Sequence, residues 1–332
     1  MNHEYLFFEK KGSTEEEMIE TVCTIELPVD EVMRIKRNRL EPDEKKENQK
    51  RICIVTGIHG DELGGQYICY EIIRRIKAEF HLLNGIVDVY PGLNPLGIDA
   101  VKREVPPFEL DLNTVFPGSN EDAMTEYAAA KLMEDLEGAD VCIDVHSSNI
   151  FLRELPQVRI HSEEAEQLLP FAKKMNTPLV WIHPSSTVKK GSLAYALNHK
   201  GTKTLVVESG VALSINQQFC NQIIEGIFSV MHHLGIWAKE SIERKEPVVA
   251  KEEDVVFVNG DCCGIFLPCV EHAGKVKKGQ CIGRVLDTIM GAVAQEVIAP
   301  CDGILFTLRE YPVVNEGSLL ARILKTEEQE NE

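Results

Sequence analysis

The sequence predicts an α/β protein with a mixed, mostly parallel sheet, helices on both faces, and a small all-β module at its C-terminal end. Through residue 245, short β-branched apolar runs alternate with segments of helical periodicity, which is typical of a parallel sheet covered by helices. Beyond that point the helical periodicity stops, and short strands follow between Gly and Pro turns. A length of 332 residues also favours more than one domain. We therefore expect two domains, 1–245 and 246–332.

The first clear strand is the buried apolar run ICIVTG at 52–57, and the segment 62–79 follows it with apolar residues at helical spacing. The mixed charge run at 41–51 predicts a solvated loop, and the residues before it carry only weak strand patterns. Further along the chain, the same alternation predicts strands at 85–95, 139–146, 178–184 and 202–210, and helices at 126–138 and 216–235. Ligands of such sheets bind beyond the carboxyl ends of the strands, so polar residues there are candidates for function.

The C-terminal module contains an internal repeat. Residues 276–285 and 314–323 share the pattern V-x-x-G-x-x-(I/L)-x-x-(V/I) at an offset of 38. Each copy places a turn glycine before an alternating strand, so we expect two interlocked β halves.

Composition excludes several classes of function. A net charge of −18 disfavours sequence-independent binding to nucleic acid or to anionic lipid, because such binding uses Lys and Arg to neutralise phosphates. The first 25 residues lack the pattern of a secretory signal, and no apolar run is long enough to span a membrane. Most of the ten cysteines lie in apolar, strand-like runs, so we expect a reducing, cytoplasmic location. Neither a GxSxG elbow nor a phosphate-binding glycine loop occurs.

Polar residues follow or close three of the predicted strands, at His59, His146 and Glu208. Glu62 lies three residues after His59, at the entrance to a predicted helix, so their side chains can converge. Two His and one Glu are a typical catalytic zinc set, since three protein ligands leave a fourth position for water. Zinc lowers the pKa of that water to about 7. We therefore predict one Zn²⁺ on His59, Glu62 and His146, with Glu208 as the general base and acid.

Five motifs occur in one order, namely GIHGDELGG, NPLGIDAVKR, DLNTVFPG, DVHSS and VVESG. In that order, over roughly residues 50–326, the chain resembles the succinylglutamate desuccinylase and aspartoacylase family, distant relatives of the zinc carboxypeptidases. The resemblance implies a zinc carboxypeptidase-like catalytic domain and the same roles for the three ligands and for Glu208. It also implies hydrolysis of an N-acyl amino acid or a related small molecule to a carboxylate and an amine.

The resemblance extends to residues that would bind substrate. It implies that Arg103 polarises the scissile carbonyl and that Asn113 helps to bind a substrate carboxylate. The family's usual D-L-N-R-x-F has Thr114 in place of its arginine here, and threonine cannot grip a carboxylate in two parallel hydrogen bonds. Arg153 and Arg159, which follow the His146 strand, are the candidates to supply the missing charge.

The C-terminal module resembles the barrel-sandwich domains of lipoyl and biotinyl carriers. No lysine occurs between Lys278 and Lys325, which excludes a carrier role. We expect the module to shape the rim of the active site or to form a contact in a homo-oligomer.

Two other functions remain open from the sequence. A carboxypeptidase or amidase that acts on peptide-like substrates would use the same metal and base. A catalytically idle metal-binding or assembly protein would keep the scaffold, but such a protein is expected to lose a ligand or the base, and all four residues are present.

Overall fold

The computed structural model describes residues 18–44, 47–106, 108–240 and 246–326. The weak strand patterns predicted before residue 18 lie outside these residues. So does the segment 241–245, which borders the predicted domain boundary, and the division into 1–245 and 246–332 stays a prediction.

The described strands of the N-terminal part are β1 (Ile19–Glu26), β2 (Val32–Leu40), β3 (Arg51–Thr56), β4 (Ile86–Tyr90), β5 (Val141–His146), β6 (Leu152–His161), β7 (Leu179–His183) and β8 (Lys203–Gly210). The strands that follow are β9 (Val248–Lys251), β10 (Val255–Asn259), β11 (Gly264–Pro268), β12 (Lys275–Val276), β13 (Cys281–Asp287), β14 (Ala292–Ile298), β15 (Gly303–Arg309), β16 (Val313–Val314) and β17 (Leu319–Lys325).

The α-helices of the described residues are α1 (Gly64–Ala78), α2 (Pro95–Ala100), α3 (Met124–Leu136), α4 (Ala165–Ala172), α5 (Leu193–His199) and α6 (Gln217–His233). Short 3-10 turns occur at Phe80–Leu82, Leu112–Thr114, Ser185–Thr187 and Glu252–Asp254. Within the described ranges, no helix combines the length and the apolar character needed to cross a bilayer.

Thirteen of the described strands form one large mixed sheet, whose main path has the order β1-β2-β4-β3-β5-β8-β6-β15-β17-β10, with β7, β9 and β12 off this path. The central strands β4, β3, β5 and β8 run parallel to one another. Antiparallel strands flank them, β2 on one side and β6 on the other. The predicted mixed sheet is therefore confirmed, and its parallel part is the part that carries the predicted site.

Helices cover both faces of this sheet. The side chains of a strand alternate between its faces, so a strand that is apolar throughout must be covered on both. On β3, Ile52 and Ile54 are buried in one core with α1 and α6, whereas Cys53 and Val55 are buried in another core with α3 and α5. The predicted two-faced covering is confirmed.

The sequence did not predict strand β6 or the helices α2, α4 and α5. The helices have only six to eight residues, which is too short for a helical period to emerge. Strand β6 contains Pro156 and buries the polar residues Glu154 and Gln157, so its pattern does not resemble that of a core strand.

The two repeats of the C-terminal module interlock as predicted. The short strand β12 of the first repeat pairs with β15 of the second half, and the equivalent β16 pairs with β11 of the first half. Gly279 and Gly317 occupy equivalent turns with φ of 85° and 79°, a region that favours glycine. Strands β14, β13, β11 and β16 form a separate four-stranded sheet, while β15 and β17 continue the large sheet.

The module is joined to the N-terminal part of the large sheet through a buried carboxylate. Strand β15 pairs with β6, which places Thr307 opposite Glu154. Glu154 is 1% exposed and accepts hydrogen bonds from Gln157 Nε2 at 2.7 Å, Arg159 Nη2 at 3.1 Å, Thr307 Oγ1 at 2.7 Å and Arg322 Nη1 at 2.7 Å. A buried charge is stable only when it is paired and hydrogen-bonded in this way.

We expect Arg322→Met to lower the free energy of unfolding by about 1.5–3 kcal/mol, because Glu154 loses a charged donor but keeps the other three. Urea denaturation of the full chain measures this. The control is Arg284→Met, which removes an exposed ion pair with Glu296 in the same module and should leave the midpoint almost unchanged. Equal midpoints for the two variants would contradict the role given to Arg322.

Candidate metal centre

Three parallel strands bring the predicted ligands and base to one edge of the sheet. His146 ends β5 and lies opposite Glu208 of the neighbouring β8. His59 lies three residues beyond β3, which pairs with β5 on its other side. The turn after β3 depends on Gly60, because a Cβ there would lie 2.0 Å from the backbone carbon of Gly97.

His59, Glu62 and His146 form a buried group that could hold a metal ion, with one ligand atom of each within 4.8 Å of the others. His59 Nδ1 lies 2.7 Å from Glu62 Oε1, and His146 Nδ1 lies 3.2 Å from Glu62 Oε2. The two Nδ1 atoms are 3.3 Å apart. Two imidazoles and a carboxylate that converge on one point are a donor set that suits zinc.

A second carboxylate supports each imidazole from its far side. His59 Nε2 lies 3.2 Å from Asp111 Oδ1, and His146 Nε2 lies 3.1 Å from Asp144 Oδ1. The second contact is an ion-pair contact, since the buried Asp144 oxygens have no well-aligned hydrogen-bond donor among the described residues. Metal-binding histidines are commonly held by a carboxylate in this manner.

Sequence reasoning missed both of these aspartates. Asp144 lies two residues before His146, so the two side chains share one face of β5. Asp111 opens the D-L-N motif, in which only the asparagine was predicted to have a role. The signal that could have identified them is that a metal-binding histidine usually pairs with a carboxylate through its other ring nitrogen.

The charges around the group attract a cation. Burial raises the pKa of Glu62, but His146 and His59 outweigh that effect and lower it to about 2. Burial lowers the pKa of His59, but Asp111 and Glu62 outweigh this and raise it above its ordinary value. The pKa of His146 is raised in the same way by Asp144 and Glu62. Glu62 is therefore ionised, and the acidic neighbours of the two imidazoles favour a positive charge at this group.

Glu208 lies in the same cavity as the metal group. Burial raises its pKa, and the nearby Arg159 and His146 oppose that rise only in part. Arg159 Nη1 lies 3.3 Å from Glu208 Oε1, while its Nη2 donates to Glu154. Arg159 thus fixes the position of the candidate base and connects it to the buried carboxylate beneath the C-terminal module.

Arg103 and Asn113 also reach this cavity. Arg103 Nη1 lies 3.2 Å from Glu62 Oε1, and Nη2 lies 3.4 Å from Asp111 Oδ2. Asn113 Oδ1 accepts a hydrogen bond from Leu193 N–H at 2.9 Å, which leaves the amide nitrogen as the group free to donate.

The cavity has a volume of about 290 Å³ and is lined by His59, Arg103, Asn113, His146, Arg159 and Glu208, among others. Glu62 lies directly behind it, in contact with His59. The structure does not bring Arg153 there. Arg153 Nη2 pairs with Glu310 Oε1 at 2.7 Å and borders different cavities, because β6 pairs with β15 at that position.

A family model for the succinylglutamate desuccinylase/aspartoacylase catalytic domain matches residues 48–234, more than half of the chain. No curated protein sequence matches.

Several solved structures share the fold. The ectoine utilization protein EutE (DoeB) of Ruegeria pomeroyi is 21% identical, with a TM-score of 0.79 over 93% of this chain and 95% of that one. A succinylglutamate desuccinylase/aspartoacylase of Rhodobacter sphaeroides is 20% identical, with a TM-score of 0.77 over 92% and 94%. An aspartoacylase family protein of Mesorhizobium loti is 18% identical, with a TM-score of 0.73 over 93% and 95%. At these identities the structures show the fold alone.

We expect Asp144→Asn to weaken zinc affinity by about 10- to 100-fold, because His146 loses the carboxylate that orients it. Competition with a coloured chelator measures the affinity. Asp122→Asn changes an exposed aspartate and serves as the control. An unchanged affinity in Asp144→Asn, with the fold intact by circular dichroism, would show that Asp144 does not support the ligand.

Proposed function

The chain belongs to the succinylglutamate desuccinylase/aspartoacylase family, and on that premise we propose that it is a zinc-dependent deacylase. The proposed reaction hydrolyses the amide bond of a small N-acyl amino acid, or of a related compound, to a carboxylate and an amine. The observation that carries the proposal is the convergence of His59, Glu62 and His146 at a cavity that Glu208 also lines.

His59, Glu62 and His146 would hold the ion. When bound, zinc polarises a carbonyl oxygen and lowers the pKa of water, which makes hydrolysis feasible at neutral pH. Two imidazoles and one carboxylate favour zinc among the common divalent ions.

Glu208 accepts the proton of the attacking water and returns it to the leaving nitrogen. Its raised pKa suits both transfers, because a general base works best when its pKa approaches the working pH. Arg159, on the neighbouring strand β6, holds the Glu208 carboxylate in place. Arg103 is positioned beside the metal group to donate to the oxygen on which negative charge develops, a contribution that is often worth about 10² to 10³ in rate.

Several further features belong to this proposal. Residues 246–332 form a barrel-sandwich domain, which the interlocked pairing of β12 with β15 and of β16 with β11 supports. The protein binds a small N-acyl substrate and neither nucleic acid nor a membrane, and it is located in the cytoplasm. Contact between copies of the chain through the C-terminal module remains part of the same proposal.

We expect Glu208→Gln to lower kcat by about 10²- to 10⁴-fold while zinc content stays at one per chain. His59→Ala should lose both zinc and activity. Release of free amine from a panel of N-acyl amino acids measures turnover, and elemental analysis measures zinc. Glu253→Gln, at an exposed position, is the control. Full turnover in Glu208→Gln would sink the assignment of the base.

Chelation should abolish turnover, and added zinc should restore it. Including peptides with free C-termini in the panel separates a deacylase from a carboxypeptidase. Activity that survives complete removal of the metal would rule out metal-dependent catalysis, and zinc-loaded protein that hydrolyses no substrate of either class would favour the idle metal-binding alternative.

A further inference from the structure

The active-site cavity is lined by three basic side chains of lysine or arginine among the described residues, those of Arg103, Arg159 and Lys189. Arg103 is engaged by Glu62 and Asp111, and Arg159 by Glu208 and Glu154. Lys189 has no ion-pair partner within the described part of the chain. The charge of Lys189 is therefore the one that the described protein leaves free to meet an anion in the cavity.

Besides the two predicted metal ligands, His161 and His183 also line the cavity, and these two imidazoles do not compete for that role. Burial lowers the pKa of His183 to about 3, with a further contribution from Arg159. Burial also lowers the pKa of His161. Both rings are therefore neutral near pH 7.

Lys189 lies on a loop that packs directly against the motif that lacks the family's arginine. A Cβ at Gly191 would lie 2.0 Å from the carbonyl oxygen of Thr114. Phe116 N–H donates to the Gly191 oxygen at 3.0 Å, and Leu193 N–H donates to Asn113 Oδ1. The contact leaves no room for a side chain at position 191, and the hydrogen bonds fix the lysine loop beside Asn113 and Thr114.

Thr114 itself does not serve the cavity. Its hydroxyl donates to the backbone carbonyl oxygen of Asp111 at 2.7 Å, so it closes the local turn. Position 114 is not part of the cavity lining. The cation at this wall thus comes from the adjacent loop.

We propose that Lys189 binds a carboxylate of the substrate, in the place of the arginine that position 114 lacks. The inference rests on the proposed deacylase function and names its substrate class: N-acyl compounds that carry a carboxylate toward Asn113, whose amide N–H groups donate to the same anion. A lysine ammonium acts as a point charge and not as a planar fork. The contact therefore requires a negative charge on the substrate near Lys189, but it does not fix the plane of the substrate carboxylate.

The test compares Lys189→Met with Lys190→Met in the zinc-loaded full chain. Lys190 is exposed, as Lys189 is, but does not line the cavity. For an N-acetyl amino acid, we expect Lys189→Met to raise KM about tenfold or more, as the loss of one charge-assisted contact implies, with kcat within about threefold. Lys190→Met should match the wild type. The N-acetyl amino acid amide, which has no carboxylate, should show the same KM in all three proteins.

Two further variants separate a binding role from a structural one. Lys189→Arg should keep most of the affinity, and the double variant Lys189→Met/Thr114→Arg should regain part of it by restoring a cation at the motif. Equal KM values for Lys189→Met and Lys190→Met, or an equal loss for the acid and its amide, would overturn the proposal.

Calorimetric binding of the N-acetyl amino acid and its amide separates this inference from the proposed function. If the wild type hydrolyses nothing but binds the acid better than the amide, and Lys189→Met loses that preference, the deacylase proposal fails and the anion site stands. If the wild type hydrolyses the acid and Lys189→Met retains both its KM and its preference, the deacylase stands and the anion site fails.

Discussion

The Glu62 carboxylate contacts four of the groups that surround the candidate metal centre. Both imidazoles contact it, Arg103 lies against one of its oxygens, and the backbone N–H of Ser147 donates to the other at 2.9 Å. These donors come from the ends of β3 and β5 and from the segment before the D-L-N motif. They can meet only because β3 and β5 are parallel neighbours whose carboxyl ends share one edge. The ligands can therefore converge only if the strands have this order in the sheet, and the local motifs alone are not sufficient.

Much of this arrangement could be predicted from local sequence. The apolar runs before His59, His146 and Glu208 identify strands, and the rule for parallel sheets places their ends together. Strand β6 could not be found in the same way. In the local sequence, Glu154 looks like a solvent-exposed residue. Its burial depends on Thr307 and Arg322, which are more than 150 positions away. A local pattern carries no information about such distant compensation.

The same limit separates the two arginines that the sequence offered together. Arg153 and Arg159 are six residues apart on one strand, but β6 changes partners between them, with a register shift after Glu154. Arg159 lies opposite Val206 of β8 and reaches the base, whereas Arg153 lies opposite Leu308 of β15. Strand pairing decided their positions, and pairing is set by the whole chain. Lys189 was missed for a related reason, since its loop meets the D-L-N motif only in the folded protein.

The pairing of β6 with β15 also bears on how much of the chain can fold alone. The region matched by the family model ends at residue 234, before the strands that cover β6 and β7. A fragment cut there would present two unpaired strand edges to solvent and would leave Glu154 without Thr307 and Arg322. Open edges of this kind template association between chains. We therefore expect that the segment defined by sequence similarity does not fold on its own and that its isolated expression gives aggregates.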